Sequence, residues 1–275
     1  MFVDAALAAR IDRVEAQMCT AIARTVRDPD ARMLVLDVGG GAAVFAGAGA
    51  PVNKLIGLGF APLDTTALAA ALDEVEAAWQ ARGEPVRVEL ATVAEPDAAA
   101  LLSARGYQLV GFEHVLVRRL DALPEPVAGI AVERVSDPAD WMRIAVDGFA
   151  TPDGTGAPVD DFDRGALERV MKSFAHTPGF SRYVASLDGE RVGAASMRVD
   201  DGIALLAGAT TLPAARRRGV QRALLATRLR DAREAGAELA FVVTAPGSLS
   251  QHNIVRSGFE VGYVRAILVL PVKES

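Results

Sequence analysis

One cysteine and three histidines in 275 residues exclude two kinds of chemistry at the outset. Cys19 has no second thiol to pair with, and a His/Cys zinc site lacks its ligands, so no metal is expected. Cys19 also falls on the apolar side of a helical pattern, where it reads as a small core residue rather than a nucleophile. No apolar run reaches about 18 residues, so no membrane span is expected. The first residues carry Asp4 and no basic leader, so no signal peptide is expected and the chain reads as cytoplasmic. Cationic residues are in deficit: 29 Lys+Arg against 35 Asp+Glu give a net charge of −6, and aromatics are only 5%. That balance argues against nucleic acid and anionic lipid as partners, while leaving room for a local basic patch that holds an anion.

What is present is apolar surface, at 51% of residues, and enough length for two domains. The stretch that reads as a linker is "DALPEPVAG", 121–129, where Pro124 and Pro126 forbid a helix. The parts on either side end alike. "VRVELATVAEPDAAALLSARGYQLVGFEHVLVRRL" and "AELAFVVTAPGSLSQHNIVRSGFEVGYVRAILVL" each read as strand, Pro-containing turn, short helix, Gly-aromatic and long strand. Gly106-Tyr107 and Gly258-Phe259 fall at the same point, and the preceding helices close at Gly83 and Gly236. Such self-similarity indicates a duplicated domain, with 1–120 in front and 130–275 behind.

Periodicity supplies the elements. Leu7, Ile11, Val14, Met18 and Ile22 share one helical face, and Leu68, Leu72, Val75 and Trp79 another. "MLVLDV" and "AAVFA" read as a hairpin through Gly39-Gly40-Gly41. In the rear part, Phe162 to Phe174 fits a helix, and three strands follow, joined at Asp188-Gly189 and Asp201-Gly202. A meander that feeds a helix and then a further strand is an α/β arrangement with a mixed, mostly antiparallel sheet flanked by helices.

Against the acidic background, Arg216, Arg217 and Arg218 run into Gly219 between the strand "IALLAGATTL" and an amphipathic helix carrying Val220, Leu224, Leu225, Leu229 and Ala232. Free N–H groups and the positive end of the helix dipole disfavour cations there, so three of them make sense around an anion. The alternative is a solvated basic turn. This arrangement resembles the acetyl-CoA pyrophosphate loop of the GCN5-related N-acetyltransferases, Arg/Gln-x-x-Gly-x-Gly/Ala after a strand and opening a helix. Here it reads Arg216-Arg217-Arg218-Gly219-Val220-Gln221, with Gln221 replacing the last Gly/Ala. The resemblance implies two tandem acyl-CoA N-acyltransferase-like domains. It implies that backbone groups of Thr211 and Leu212 pair with the pantetheine arm and that the N–H groups from Arg217 to Arg222 hold the pyrophosphate. It also puts Asn253 near the pantetheine or the reacting centre, unless that residue is a helix cap or a surface amide.

The front part lacks this loop. Aligning Gly83 with Gly236 sets "LDTTAL" opposite "RRRGVQ", and Asp64 reads as a helix N-cap that would repel a pyrophosphate. The front domain is expected to have kept the fold and lost the cofactor site. "DVGGGAAVFAGAGAP" lacks the Gly-x-Gly-x-x-Gly order and reads as no dinucleotide loop.

The implied activity is transfer of acetyl from acetyl-CoA (coenzyme A) to the amine of a small molecule or peptide; the competing expectation is a non-catalytic acyl-CoA-binding regulatory protein. Many relatives place a tyrosine four residues before the Gly of Gly-Phe to protonate the sulfur. That position is Ile254, which leaves Ser250, His252 or a water for the role. Glu133, Asp147 and Asp161 are the carboxylates considered as base, each equally readable as a surface charge or cap. The acidic, Gly- and Pro-rich segment "DGFATPDGTGAPVDDFDR", 147–164, would suit a basic acceptor if it rims the pocket, and is otherwise a loop. Open sheet edges leave monomer and homodimer both in play.

Overall fold

The computed structural model describes residues 1–26, 29–60, 62–151 and 164–272. The front elements are α1 (Ala5–Thr25), β1 (Leu34–Val38), β2 (Gly41–Phe45), β3 (Lys54–Ile56), α2 (Thr65–Gln80), β4 (Val86–Ala91), α3 (Pro96–Ala104) and β5 (Gln108–Arg119). The rear elements are β6 (Ile130–Val135), α4 (Ala139–Phe149), α5 (Arg164–His176), β7 (Phe180–Leu187), β8 (Glu190–Asp200), β9 (Ile203–Thr211), α6 (Val220–Glu234), β10 (Leu239–Thr244), α7 (Leu249–Arg256) and β11 (Glu260–Leu270). The order from the hairpin strands through helix, strand, short helix and long strand is the same in both halves, as the repeat predicts. Two compact units result: Phe2–Val115 with Val261–Ser275, and Leu116–Glu260 with Met1. Each repeat's long last strand therefore changes unit along its length, β5 between Val115 and Leu116 and β11 between Glu260 and Val261.

In the front unit β1, β2 and β3 form an antiparallel meander, β3 runs parallel to β4, and β4 pairs antiparallel with β11 from Arg265↔Ala91 to Leu270↔Val86. The first turn uses Gly39 and Gly40 at φ +55° and +85°, as the triple glycine suggests. Leu68, Leu72, Val75 and Trp79 of α2 are buried against Phe45, Leu55 and Val88. Asp64 caps α2, its Oδ1 accepting from the N–H groups of Thr66 and Ala67 at 2.9 and 3.1 Å. Cys19 is fully buried and burial pushes its thiol up to about 12, which suits a core residue.

The sequence reading missed what lies beside it. Asp12 and Glu15 of α1, Lys54 of β3, Glu89 of β4 and Arg265 of β11 are all buried. Lys54 Nζ donates to Glu15 Oε1 and Glu89 Oε2, both at 2.7 Å. Arg265 donates to Asp12 Oδ1 at 2.5 and 3.1 Å and to Glu15 Oε2 at 2.7 Å, and the Tyr263 hydroxyl donates to Asp12. Burial alone would raise Glu15, yet Arg265 and Lys54 bring it down to about 2; Asp12, also beside Arg265, stays above its ordinary value because its burial outweighs the cation. One step outward, Glu113 of β5 accepts from Arg87 at 3.1 Å, and burial, reinforced by the like charge of Glu89 and opposed by Lys54, pushes it up to about 7. The native state thus takes up a proton on Glu113 between about 4.5 and about 7 that the unfolded chain releases. Stability from this group is present below that window and is lost as pH rises through 7. Glu113→Gln removes the dependence: the melting temperature of wild type minus variant falls from pH 5 to pH 8, and a flat difference refutes the assignment.

In the rear unit the sheet order is β10-β9-β8-β7-β6, with the last part of β5 beside β10. The Asp188-Gly189 and Asp201-Gly202 turns join β7 to β8 and β8 to β9, all four residues at positive φ. Helix α6 buries Val220, Leu224, Leu225, Leu229 and Ala232, the stripe read from the sequence. On one face α6 packs its Val220 and Leu224 against Gly193; on the other, α4 sets Gly148 against Thr210. Helix α5 starts at Arg164, and Phe162, expected in it, lies outside the described residues.

Candidate functional site

The sheet of the rear unit is interrupted on both sides of β9. Toward β10 the parallel pairing covers Ile203↔Leu239, Ala204↔Ala240 and Leu205↔Phe241 and then stops, although β9 runs on to Thr211 and β10 to Thr244. The two strands part, and among the described residues the backbone of β9 beyond Leu205 has no strand partner on that side. Toward β8 the register shifts: Ala194 faces Thr210 and Ser196 faces Ala207, so Ala195 opposes both Gly208 and Ala209. Such a bulge bends a strand and redirects its backbone groups. Two buried donors hold β8 at this level. Trp141 Nε1 of α4 donates to the Ala195 carbonyl and Arg228 Nη1 of α6 to the Ser196 carbonyl, each at 3.0 Å. Arg228 is buried without an ion pair among the described residues, and burial lowers it to about 10.

The strand ends before Pro213, and one 3-10 turn, Pro213–Ala215, leads into the arginines. Arg217 takes a left-handed φ of +63° and Gly219 one of +89°. Gly219 is the N-cap of α6, has no side chain to offer, and the first turn carries no acidic residue. Among the described residues, the leading N–H groups of α6 thus lack the carboxylate that Asp64 supplies to α2 at the matching point of the repeat. One unit caps its helix with a carboxylate; the other starts its helix on a glycine.

The arginines divide by role. Arg216 turns back into the protein: its Nε donates to the Thr211 carbonyl at 3.1 Å, and Nη2 donates to the Gly148 carbonyl at 3.4 Å and to the Thr151 carbonyl. It ties the loop to the C-terminal end of α4, where the dipole favours a cation. Arg218 pairs with Asp188 at 2.7 Å on the surface. Arg217 and Arg222 are exposed and, among the described residues, carry no ion pair. The Leu212 N–H is taken by the Val192 carbonyl at 2.9 Å, and Thr211, alternating with it, turns its backbone to the other side, where its carbonyl accepts from Arg216 Nε.

Helix α7 follows β10 and meets the first turn of α6. Asn253 Nδ2 donates to Gln221 Oε1 at 3.3 Å, linking α7 to the first turn of α6. Ile254 is buried with Leu224, Leu225 and Phe259, so the position considered for a proton donor is part of the core. Ser250 and His252 sit on the exposed side of α7. Of the carboxylates considered as base, Glu133 is paired with Arg191 at 2.6 Å and Asp147 with Arg164 at 2.7 Å, while Asp161 lies outside the described residues. One group was missed by the sequence reading. Thr244, the last residue of β10, is buried, and its Oγ1 has no hydrogen-bond partner among the described residues.

Residues 142–259 match the model of the acetyltransferase (GNAT) family. No curated protein matches the chain. Among solved structures, a GCN5-related N-acetyltransferase from Kribbella flavida superposes with a TM-score of 0.65 at 21% identity, covering 94% of this chain and 96% of that one. A tandem GNAT protein from the clavulanic acid biosynthesis pathway gives 0.66 at 14% identity, covering 94% and 88%. An acetyltransferase of the same family from Novosphingobium aromaticivorans gives 0.54 at 16%, covering 96% and 99%. At these identities the likeness is one of fold, and it extends over both halves.

Proposed function

Taking residues 142–259 as a domain of the acetyltransferase (GNAT) family, we propose that the rear unit binds acetyl-CoA and transfers its acetyl group to the amine of a small molecule or peptide. The observation that carries this reading is the uncapped, Gly219-led entrance of α6 beside the parting of β9 from β10. The N–H groups of Val220, Gln221 and Arg222 hold the pyrophosphate, with Arg217 and Arg222 adding charge from outside. Val220 contributes only backbone, since its side chain is buried against β8. Gln221 keeps its N–H for the same purpose while its side chain is held by Asn253. Arg218 is shared with Asp188, and Arg216 holds the loop rather than the phosphate.

Acyl transfer needs a polarised thioester carbonyl, a neutral amine and a stabilised leaving thiolate. Backbone N–H groups of β9 facing the gap serve the first need, because the bulge fixes them before any ligand arrives. The second and third needs have no obvious side chain in Ile254, and Ser250 or His252 would have to act from the rim. This same feature favours the second reading, an acyl-CoA-binding regulatory protein without turnover.

Titration calorimetry with coenzyme A, followed by free-thiol release from acetyl-CoA across a panel of amines, separates the readings. Binding with turnover supports the transferase, binding without turnover the regulator, and no binding refutes both. Arg217→Ala with Arg222→Ala weakens coenzyme A about tenfold, at roughly 0.5–1 kcal/mol per exposed charge, and flattens the salt dependence of binding. An unchanged affinity removes these two side chains from the site.

A further inference from the structure

We propose that the Thr244 hydroxyl is a hydrogen-bond donor to the thioester end of the bound acyl-CoA. The inference rests on the acyl-CoA reading of the rear unit. Thr244 is buried, at 6% exposure, and among the described residues Oγ1 meets no donor or acceptor. Buried hydroxyls almost always find a partner, so one that does not requires a reason. Its place in the sheet supplies one. The last pair between β9 and β10 is Leu205↔Phe241, and three residues further along each strand stand Gly208 and Thr244. Thr244 is therefore level with the bulge, on the far side of the gap from it. Three residues separate Gly208 from Thr211, which is roughly 10 Å of strand. Thr211 adjoins the loop assigned to the pyrophosphate, so Thr244 faces the opposite, acyl-bearing end of a ligand laid along β9.

The side-chain direction agrees. Residues alternate along a strand, and Ala240 and Val242 turn to the face covered by α6 and α7, where they pack with Leu224 and Ile254. Thr244 shares that parity. On this face the position considered for a proton donor holds Ile254, and β10 ends with the hydroxyl of Thr244. Thr244 keeps its proton throughout. A threonine hydroxyl is too weak an acid to surrender it, so the contribution is a hydrogen bond to the sulfur or carbonyl oxygen, not protonation of the leaving group.

The test uses the full chain with Thr244→Val, which keeps the shape and deletes the hydroxyl, and Thr244→Ser, which keeps the hydroxyl. Melting temperatures are taken without ligand, and affinities for acetyl-CoA and for desulfo-coenzyme A, which lacks the sulfur, are measured by calorimetry. The expected result has three parts. Thr244→Val melts at or above wild type, because an unpaired buried hydroxyl is gone. It binds acetyl-CoA about three- to tenfold more weakly and desulfo-coenzyme A unchanged. Thr244→Ser binds acetyl-CoA within twofold of wild type. The proposal is overturned if Thr244→Val binds acetyl-CoA as wild type does, if it loses both ligands equally, or if it melts well below wild type. If wild type binds neither ligand, the acyl-CoA reading itself fails, an outcome distinct from all three.

Discussion

Arg265→Met lowers the melting temperature of the front unit by on the order of 10 °C in scanning calorimetry. The guanidinium is fully buried and is the shared donor of Asp12 and Glu15. Without it Asp12 retains the Tyr263 hydroxyl and no cation, while Glu15 falls back on Lys54, which also serves Glu89. Breaking a buried ion pair from one side costs about 3–5 kcal/mol, because the orphaned charge stays in a medium that cannot solvate it. In a unit of this size each kcal/mol moves the transition by roughly 2–4 °C or more. The loss is therefore a property of the stranded carboxylates and not of the pair's net worth. Adding Asp12→Leu removes one of them, so the double variant melts above Arg265→Met alone. A single variant that melts within 2 °C of wild type contradicts this account, as does a double variant that is worse still.

Gly148→Ala disables the rear unit. A Cβ on Gly148 would stand 2.2 Å from Thr210 Oγ1, 2.7 Å from its Cγ2 and 3.0 Å from its Cβ. No rotation of Thr210 clears all three, so β9 has to move away from α4. Helix propensity alone predicts the opposite, a gain of up to about 1 kcal/mol from Gly to Ala. Overpacking costs about 1–3 kcal/mol and wins, so the variant melts lower than wild type. The functional loss is larger. Thr210 precedes Thr211, which faces the gap, and the Gly148 carbonyl is one of the acceptors of Arg216, so a shift there displaces strand and loop together. A misplacement of about 1 Å, even one that starts away from the reacting atoms, costs on the order of 100-fold in rate. Coenzyme A release from acetyl-CoA under the best amine of the panel measures it. Thr210→Ala, which vacates the contested space, restores part of both losses when combined with Gly148→Ala; strict additivity of the two substitutions would show that the contact is not the cause.

The parts of this molecule legible in its sequence are those written in consecutive residues. Asp188-Gly189 and Asp201-Gly202 each announce a hairpin through local backbone preference, and Asp64 a cap. The basic loop is likewise local: Pro213, three arginines, Gly219 and an amphipathic run lie within one stretch. What stayed hidden depends on partners far apart in the chain. Arg265 reads as an outlier in the apolar "YVRAILVL" until α1 brings Asp12 and Glu15 to it, 253 and 250 residues away. Asp12 and Glu15 were themselves legible as charges on the buried face of α1, between Ile11, Val14 and Met18, had that been weighed as a signal. Arg216 reads as a phosphate ligand beside Arg217 and Arg218, and only the position of Gly148 and Thr151 turns it inward. The end of pairing at Phe241 has no mark in "AFVVTAP", because the separation of two parallel strands is decided by what each packs against. For the same reason the loss of a partner for Thr244 could not be read from its neighbours.

The division of β11 has a consequence for how the chain comes into being. The stretch Phe2–Val115 leaves the ribosome without Val261–Leu270, the neighbour of β4 and the source of Arg265. At about 5–20 residues per second, roughly 8–30 s pass before that strand emerges. During this delay β4 has an unfilled edge, Glu15 and Glu89 share Lys54, and Asp12 is without the cation that Arg265 later brings. The intervening residues 116–260 belong almost wholly to the other unit, so the later half of the polypeptide can settle before the earlier half is finished.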